Sequence, residues 1–199
     1  QSELGTRNTE LGTMLLIDGS HGEGGGQMLR TALVWSLVTN TPFRMTRIRA
    51  GREKPGLKAQ HLQAMKSLRL LGPVQFEGTV EGSPEIVFHP ASLLGAEGTI
   101  DIGTAGSVTL LLQTILPAAL HAEGPSRLEI LGGTDVAWSP PMDYLLHVTL
   151  DERATVRLRR RGFYPRGGGR VVLEAEGGTK PSPLVRLDPG ELRAIRIFS

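Results

Sequence analysis

The sequence predicts an α/β protein of two tandem βαβαββ repeats, their mixed sheets packed against helices. Two observations predict it. Short apolar strand-like runs alternate with longer segments whose apolar residues recur at helical spacing, the pattern of helices laid on sheets. The order strand, small-residue loop, helix, strand, helix, strand, strand also occurs twice, offset by about 84 residues. Side chains match poorly between the two copies, so what repeats is topology and loop chemistry.

Residues 14–17 make the first strand, which runs into Asp18-Gly19-Ser20-His21-Gly22-Glu23-Gly24-Gly25-Gly26. A helix follows over 27–39, with Met28, Leu29, Ala32, Leu33, Leu37 and Val38 on one side. Asn40-Thr41-Pro42 stops it. Residues 43–48 alternate as a strand, 49–56 form a basic, turn-rich loop, and 57–71 are a second helix closed by Gly72-Pro73. Strands over 74–80 and 85–89 complete the first copy.

The second copy opens with a strand over 98–102, the small-residue loop 103–107 and a helix over 108–122, where Pro117 should introduce a kink. A strand over 127–131, a helical stretch from about Pro141, and strands over 154–161 and 170–176 follow. A further strand over 192–198 starts just before the sequence stops and reads as incomplete. Residues 1–13 are polar and aperiodic, a disordered leader or an expression remnant. The first repeat then covers 14–90 and the second 91–185. The two small-residue loops fall at equivalent positions and are expected to face one cleft.

Composition narrows the function. With 199 residues and 39% apolar content, the chain can bury a proper core. No run approaches the ~18 apolar residues of a membrane span, so no membrane partner is expected. The absence of cysteine removes disulfides and thiolate catalysis and is compatible with a cytoplasmic location. Net charge is only +2, yet Arg44, Arg47, Arg49, Arg52, Lys54 and Lys58 cluster. So do Arg153, Arg157, Arg159, Arg160, Arg161, Arg166 and Arg170. Local basic patches on a near-neutral protein favour a polyanion such as nucleic acid, with a solvated face as the alternative.

The first glycine loop carries the strongest chemical signal. Glycine uncovers backbone N–H groups, and the following helix adds the partial positive charge of its N-terminus, so the segment suits an anion. Glu23 is available there for a metal or a proton, and Arg30 for a phosphate. No Gly-Lys-Ser/Thr follows, so the loop is not a Walker P-loop, and the glycines miss the dinucleotide spacing. Arg49 and Arg52, in the loop before a helix bearing Gln60 and His61, offer planar guanidinium groups for bidentate phosphate contacts.

Gln113, on an otherwise apolar helix, needs partners and would find them in a nucleobase or a neighbouring backbone group. Asp135 is a ligand or a helix cap. Residues 162–169 join two strands with aromatics and arginine beside three glycines, either a base-stacking hairpin or a wide turn. The five histidines show neither zinc spacing nor a Ser/His/Asp set.

These residues closely resemble the RNA 3′-terminal phosphate cyclase family. The resemblance rests on Asp18-Gly19 with Gly22 to Gln27 and Leu29-Arg30, then on Ile48 to Arg52 with Lys54 to Leu57 and Gln60-His61. It continues through Ala105-Gly106-Ser107, Gln113-Thr114 with Leu116-Pro117-Ala118, and Gly132-Gly133-Thr134. Pro140-Pro141 with Asp143, and Gly162-Phe163-Tyr164-Pro165 with Gly167-Gly168-Gly169, extend it along the chain.

The resemblance implies an ATP-dependent enzyme that turns an RNA 3′-phosphate into a 2′,3′-cyclic phosphodiester, through a protein-histidine–AMP and an RNA-adenylate. It implies Glu23 for the metal or nucleotide, Arg30, Arg49 and Arg52 for phosphates, Gln60 beside them, Gly24, Gly25 and Gly26 as the phosphate cradle, and Gln113 on the adenosine. It also implies Mg²⁺ or Mn²⁺ to balance the triphosphate. The family's nucleophilic histidine falls after a third repeat and a small inserted domain, to which 186–199 would lead, and no histidine here matches it. The stretch between Tyr144 and Gly162 is several residues shorter than the first repeat leads one to expect. The competing implication is a non-catalytic, RNA-binding relative that acts in ribosome biogenesis.

Overall fold

The computed structural model describes residues 8–9, 12–22, 24–103, 105–150 and 153–178. The expected strand over 192–198 lies outside the described residues. Inside the stretch read as a leader, β1 (Asn8–Thr9) pairs antiparallel with β2 (Gly12–Thr13).

The first sheet contains β3 (Leu15–Asp18), β4 (Phe43–Thr46), β5 (Gln75–Glu77) and β6 (Ile86–His89), with helices α1 (Gly26–Thr39) and α2 (Ala59–Leu71) between its strands. The second contains β7 (Glu97–Asp101), β8 (Ser126–Gly132), β9 (Ala154–Arg160) and β10 (Gly169–Ala175), with α3 (Val108–His121) and the short α4 (Met142–Tyr144). The spatial order is β3-β4-β6-β5 in one and β7-β8-β10-β9 in the other. In each sheet the first two strands run parallel, as a strand–helix–strand crossover requires, and the last two are antiparallel. The two halves therefore share one βαβαββ topology.

The halves are joined through helices. α3 packs against both α1 and α2, and its sequence, apolar on nearly every side, is what a helix enclosed by neighbours needs. Buried side chains of both halves form one continuous core. In the first half it is aromatic: Phe88 is fully buried, with Phe76 stacked at 4.6 Å and Phe43 tilted at 5.7 Å. In the second half it is aliphatic, built from residues such as Leu112, Ile115, Leu128, Ile130, Val171 and Leu173.

Some expected boundaries shrink for local reasons. The strand expected over 74–80 spans only Gln75–Glu77, because Gly78 turns away at φ +74° against the Glu85 carbonyl. The helical stretch after Pro141 is a turn of α-helix continued as a π-helical turn, Leu145–Thr149, well short of the 13 residues of α2. The helix holding Pro117 continues through it to His121.

Candidate functional site

The glycine loop between β3 and α1 is shaped by backbone approaches that side chains would block. A Cβ on Gly19 would sit 2.7 Å from the Thr46 carbonyl oxygen, and one on Gly24, at φ +57°, 3.0 Å from that of Gly19. Asp18 anchors the start. Its carboxylate accepts from the Ser20 N–H at 2.9 Å, the Ser20 hydroxyl at 2.7 Å and the Arg47 guanidinium. The Ser20 hydroxyl and amide, and then Arg47, hold the Asp18 carboxyl at about 2, below the usual carboxylate range.

The loop delivers the chain to α1 without closing its N-terminus. Gly25 stands at the N-cap position and has no side chain to cap the helix. One turn in, Arg30 is buried, only 8% exposed. Its Nε donates to Gln113 Oε1 at 3.1 Å and one Nη to Gln27 Oε1 at 2.9 Å. Both partners are neutral, and among the described residues no carboxylate pairs with this guanidinium. Burial depresses its pKa, but an arginine stays charged in proteins. A buried cation offset only by amide oxygens is unfinished without an anion.

His61 stands beside it, 2% exposed. Its Nδ1 accepts the Lys58 N–H at 3.0 Å, capping α2. Burial, with Arg30, Arg49 and Lys58 nearby, pulls its pKa down to about 4. The ring is neutral at pH 7, and since Nδ1 is an acceptor, the proton resides on Nε2. That N–H is buried without a partner among the described residues. It rests against Gly26, where a Cβ would collide with Nε2 and come within 3.2 Å of Arg30 Nη1.

The remaining expected residues surround this point. Gly25 lies under Arg52, whose guanidinium is 3.6 Å from where a Cβ would be. Arg49, at φ +54°, donates to the carbonyls of Lys54 at 2.8 Å and Gly56 at 3.0 Å, which fixes the basic loop in place. Gln60 joins Arg30, His61, Ile102, Ser107 and Leu111 around a cavity of about 10 Å³ between the helices. Residues of both repeats thus line one small space. Glu23 lies outside the described residues.

Two partners differ from expectation. Gln113 satisfies its oxygen with Arg30 from a different helix and not with a neighbouring backbone group. Asp135 caps no helix: it pairs with Arg161 at 2.9 Å and accepts from the Thr134 hydroxyl at 2.7 Å. Arg161 also binds Asp143 at 2.7 Å, tying the loop after β8 to α4. Sequence reasoning missed the neutral tautomer of His61. Its position three residues after Lys58, at the start of α2, is the signal that could have shown it.

Comparison with known proteins identifies a family. The family model described as RTC: RNA 3′-terminal phosphate cyclase matches residues 21–188. A Methanopyrus kandleri protein named RNA 3′-terminal phosphate cyclase is 48% identical over 193 residues, covering 94% of this chain and 55% of that protein. One of the same name from Desulfurococcus amylolyticus is 48% identical over 196 residues, with 94% and 54% covered. The Pyrococcus furiosus protein of that name is 49% identical over 165 residues, with 80% and 48% covered. The chain spans about half the length of the curated relatives it matches. With the glycine loop, the buried Arg30 and the two-repeat topology already in place, the match assigns the chain plainly: it belongs to the RNA 3′-terminal phosphate cyclase family.

Proposed function

We propose that the intact protein converts an RNA 3′-terminal phosphate to a 2′,3′-cyclic phosphodiester at the expense of ATP. One observation carries the reading: a buried guanidinium with only neutral partners stands at the uncapped start of α1, beside the orphaned Nε2–H of His61. These donors converge on a cradle that only glycine permits at position 26. The set fits a polyphosphate. ATP supplies the adenylyl group: its transfer to a protein histidine releases pyrophosphate, it passes to the RNA 3′-phosphate, and AMP leaves when the adjacent 2′-OH attacks.

In this reading the chain's residues bind and orient. Arg30 and Arg52 neutralise phosphate oxygens, the Gly24–Gly26 backbone approaches them closely, and Arg49 holds the basic loop over them. Gln60 lies at the cavity's edge, and the free amide of Gln113 is available to the adenosine. His61 serves as a donor and is no nucleophile, because its one lone pair is engaged by Lys58 and its other nitrogen carries the proton. A divalent metal, Mg²⁺ or Mn²⁺, would draw on Glu23. Among the described residues no three His, Cys, Asp or Glu side chains gather to hold one. We place the reaction in the cytoplasm, consistent with a chain without cysteine; no described helix is long and apolar enough to cross a membrane.

The test is to incubate the intact protein with α-labelled ATP and a divalent metal. Acid-labile AMP on the protein that chases onto RNA ending in a 3′-phosphate, and not onto a 3′-OH end, is the expected result. A folded protein that takes no label contradicts the reading and favours a non-catalytic, RNA-binding relative.

A further inference from the structure

Every described aromatic side chain of the second half points outward. Trp138 is 99% exposed, Tyr164 83%, Phe163 56% and Tyr144 53%, while the core beneath them is aliphatic. All four flank one ionic network. Trp138 follows Asp135 by three residues, Phe163 and Tyr164 follow Arg161 by two and three, and Tyr144 follows Asp143. Arg161 binds both acids.

The backbone beneath is firmly built. Thr134 N–H donates to the Gly162 carbonyl at 2.8 Å, Phe163 exchanges hydrogen bonds with Gly167 and bridges to Asp135, and the Thr109 hydroxyl ties down Pro140. Trp138 itself is held at φ +64°, a conformation that bulky residues rarely adopt. A fully exposed tryptophan in a costly conformation, on an anchored loop, has no role in packing.

The charge around these rings is cationic. Arg160, Arg161 and Arg166 stand against Asp135 and Asp143, both of which Arg161 binds. Arg160 bonds the Gly168 carbonyl, and exposed Arg166 has no acidic partner among the described residues. The rim also adjoins the first site: Gly133, which starts the Trp138 loop, pairs with Ser107, and Ser107 lines the small cavity with Arg30 and His61.

We propose that this rim is the seat of single-stranded RNA, with Trp138, Phe163 and Tyr164 stacking the nucleotides upstream of the terminal phosphate and Arg160 and Arg166 contacting their backbone. It rests on the RNA substrate proposed above. Exposed ring faces beside arginines that no described carboxylate pairs with match unpaired bases on a polyanion, whereas a duplex hides its base faces.

The experiment titrates the intact protein with 3′-phosphorylated RNA, single-stranded and duplex, from a dinucleotide to about a dozen nucleotides. Affinity of the wild-type protein should rise with single-strand length. Trp138→Ala and Tyr164→Ala should each weaken the longest strand by about fivefold to a hundredfold and flatten the length dependence. Arg166→Ala should lower the salt slope by about 0.7. Thermal unfolding of each variant reports its fold, and Trp138→Phe should restore much of the binding. A folded double variant of Trp138 and Tyr164 that binds long RNA like wild type overturns the proposal, as does equal affinity for duplex. Wild-type protein that binds RNA of no length also overturns it. Length-dependent binding without an AMP adduct leaves this surface standing and removes the cyclase reading instead.

Discussion

The two repeats share one topology and use it oppositely. In the first, the βα loop is stripped to glycine, the N-terminus of α1 has no side-chain cap, and a buried arginine waits behind it. In the second, Ser107 occupies the equivalent place, and its hydroxyl accepts the Leu110 N–H at 3.1 Å. One helix start is left open to an anion, and the other is closed by its own chain. The aromatics differ too: the first half packs its phenylalanines inside and exposes Trp35, and the second displays all four of its described rings. The same topology carries glycine at one N-cap and serine at the other.

The comparison breaks first at Arg30. Arg30→Met in the intact protein should weaken ATP binding about a hundredfold by calorimetry, since a two-pronged charged contact is lost. An affinity unchanged from wild type would remove the first loop's claim.

Next comes pH. His61 has a folded pKa of about 4 against an ordinary 6.5, so between these values the unfolded chain binds more protons. Its contribution is fully present above pH 6.5 and is lost as pH falls toward 4, on the order of 3 kcal/mol. Chemical denaturation across that window should show the loss, and His61→Gln should flatten it. An identical profile in the variant would mean the imidazole is not held neutral.

Smaller effects sharpen the contrast. Gly26→Ala, which drives a methyl into His61, should cost about 1–3 kcal/mol of stability. Gly98→Ala in β7, where a Cβ meets nothing within 4 Å, should stay within about 0.5 kcal/mol. Equal costs would show the cradle to be slack. Ser107→Ala should lose about 1 kcal/mol of stability in thermal or denaturant unfolding, the value of a cap; no loss would mean that α3 does not depend on its own side chain.

What the sequence revealed is local. The glycine loop, the helix that follows it and the order of strands in both copies are written in periodicity and breakers, which act over a few residues. What it hid depends on packing. Gln113 meets Arg30 across 83 residues because α3 lies against α1, and no pattern within either helix specifies that crossing. Asp135 resembled a cap because Gly132-Gly133-Thr134 precedes it; Arg161, 26 residues on, claims it instead. The outward turn of Trp138 depends on a left-handed backbone that its type disfavours, which no local pattern announces. The shortened strand at Gln75–Glu77 was set by Gly78, a residue that periodicity passes over.

The central claim is that a polyphosphate completes the pocket of Arg30 and His61. The direct measurement follows the His61 ring by NMR across pH, assigned with His61→Gln, in the intact protein with and without saturating ATP. Added negative charge beside the imidazole offsets Arg30 and Arg49 and favours the protonated ring, so the account predicts that ATP raises the His61 pKa from its depressed value. A titration that ATP leaves unchanged would put the triphosphate elsewhere and contradict the account.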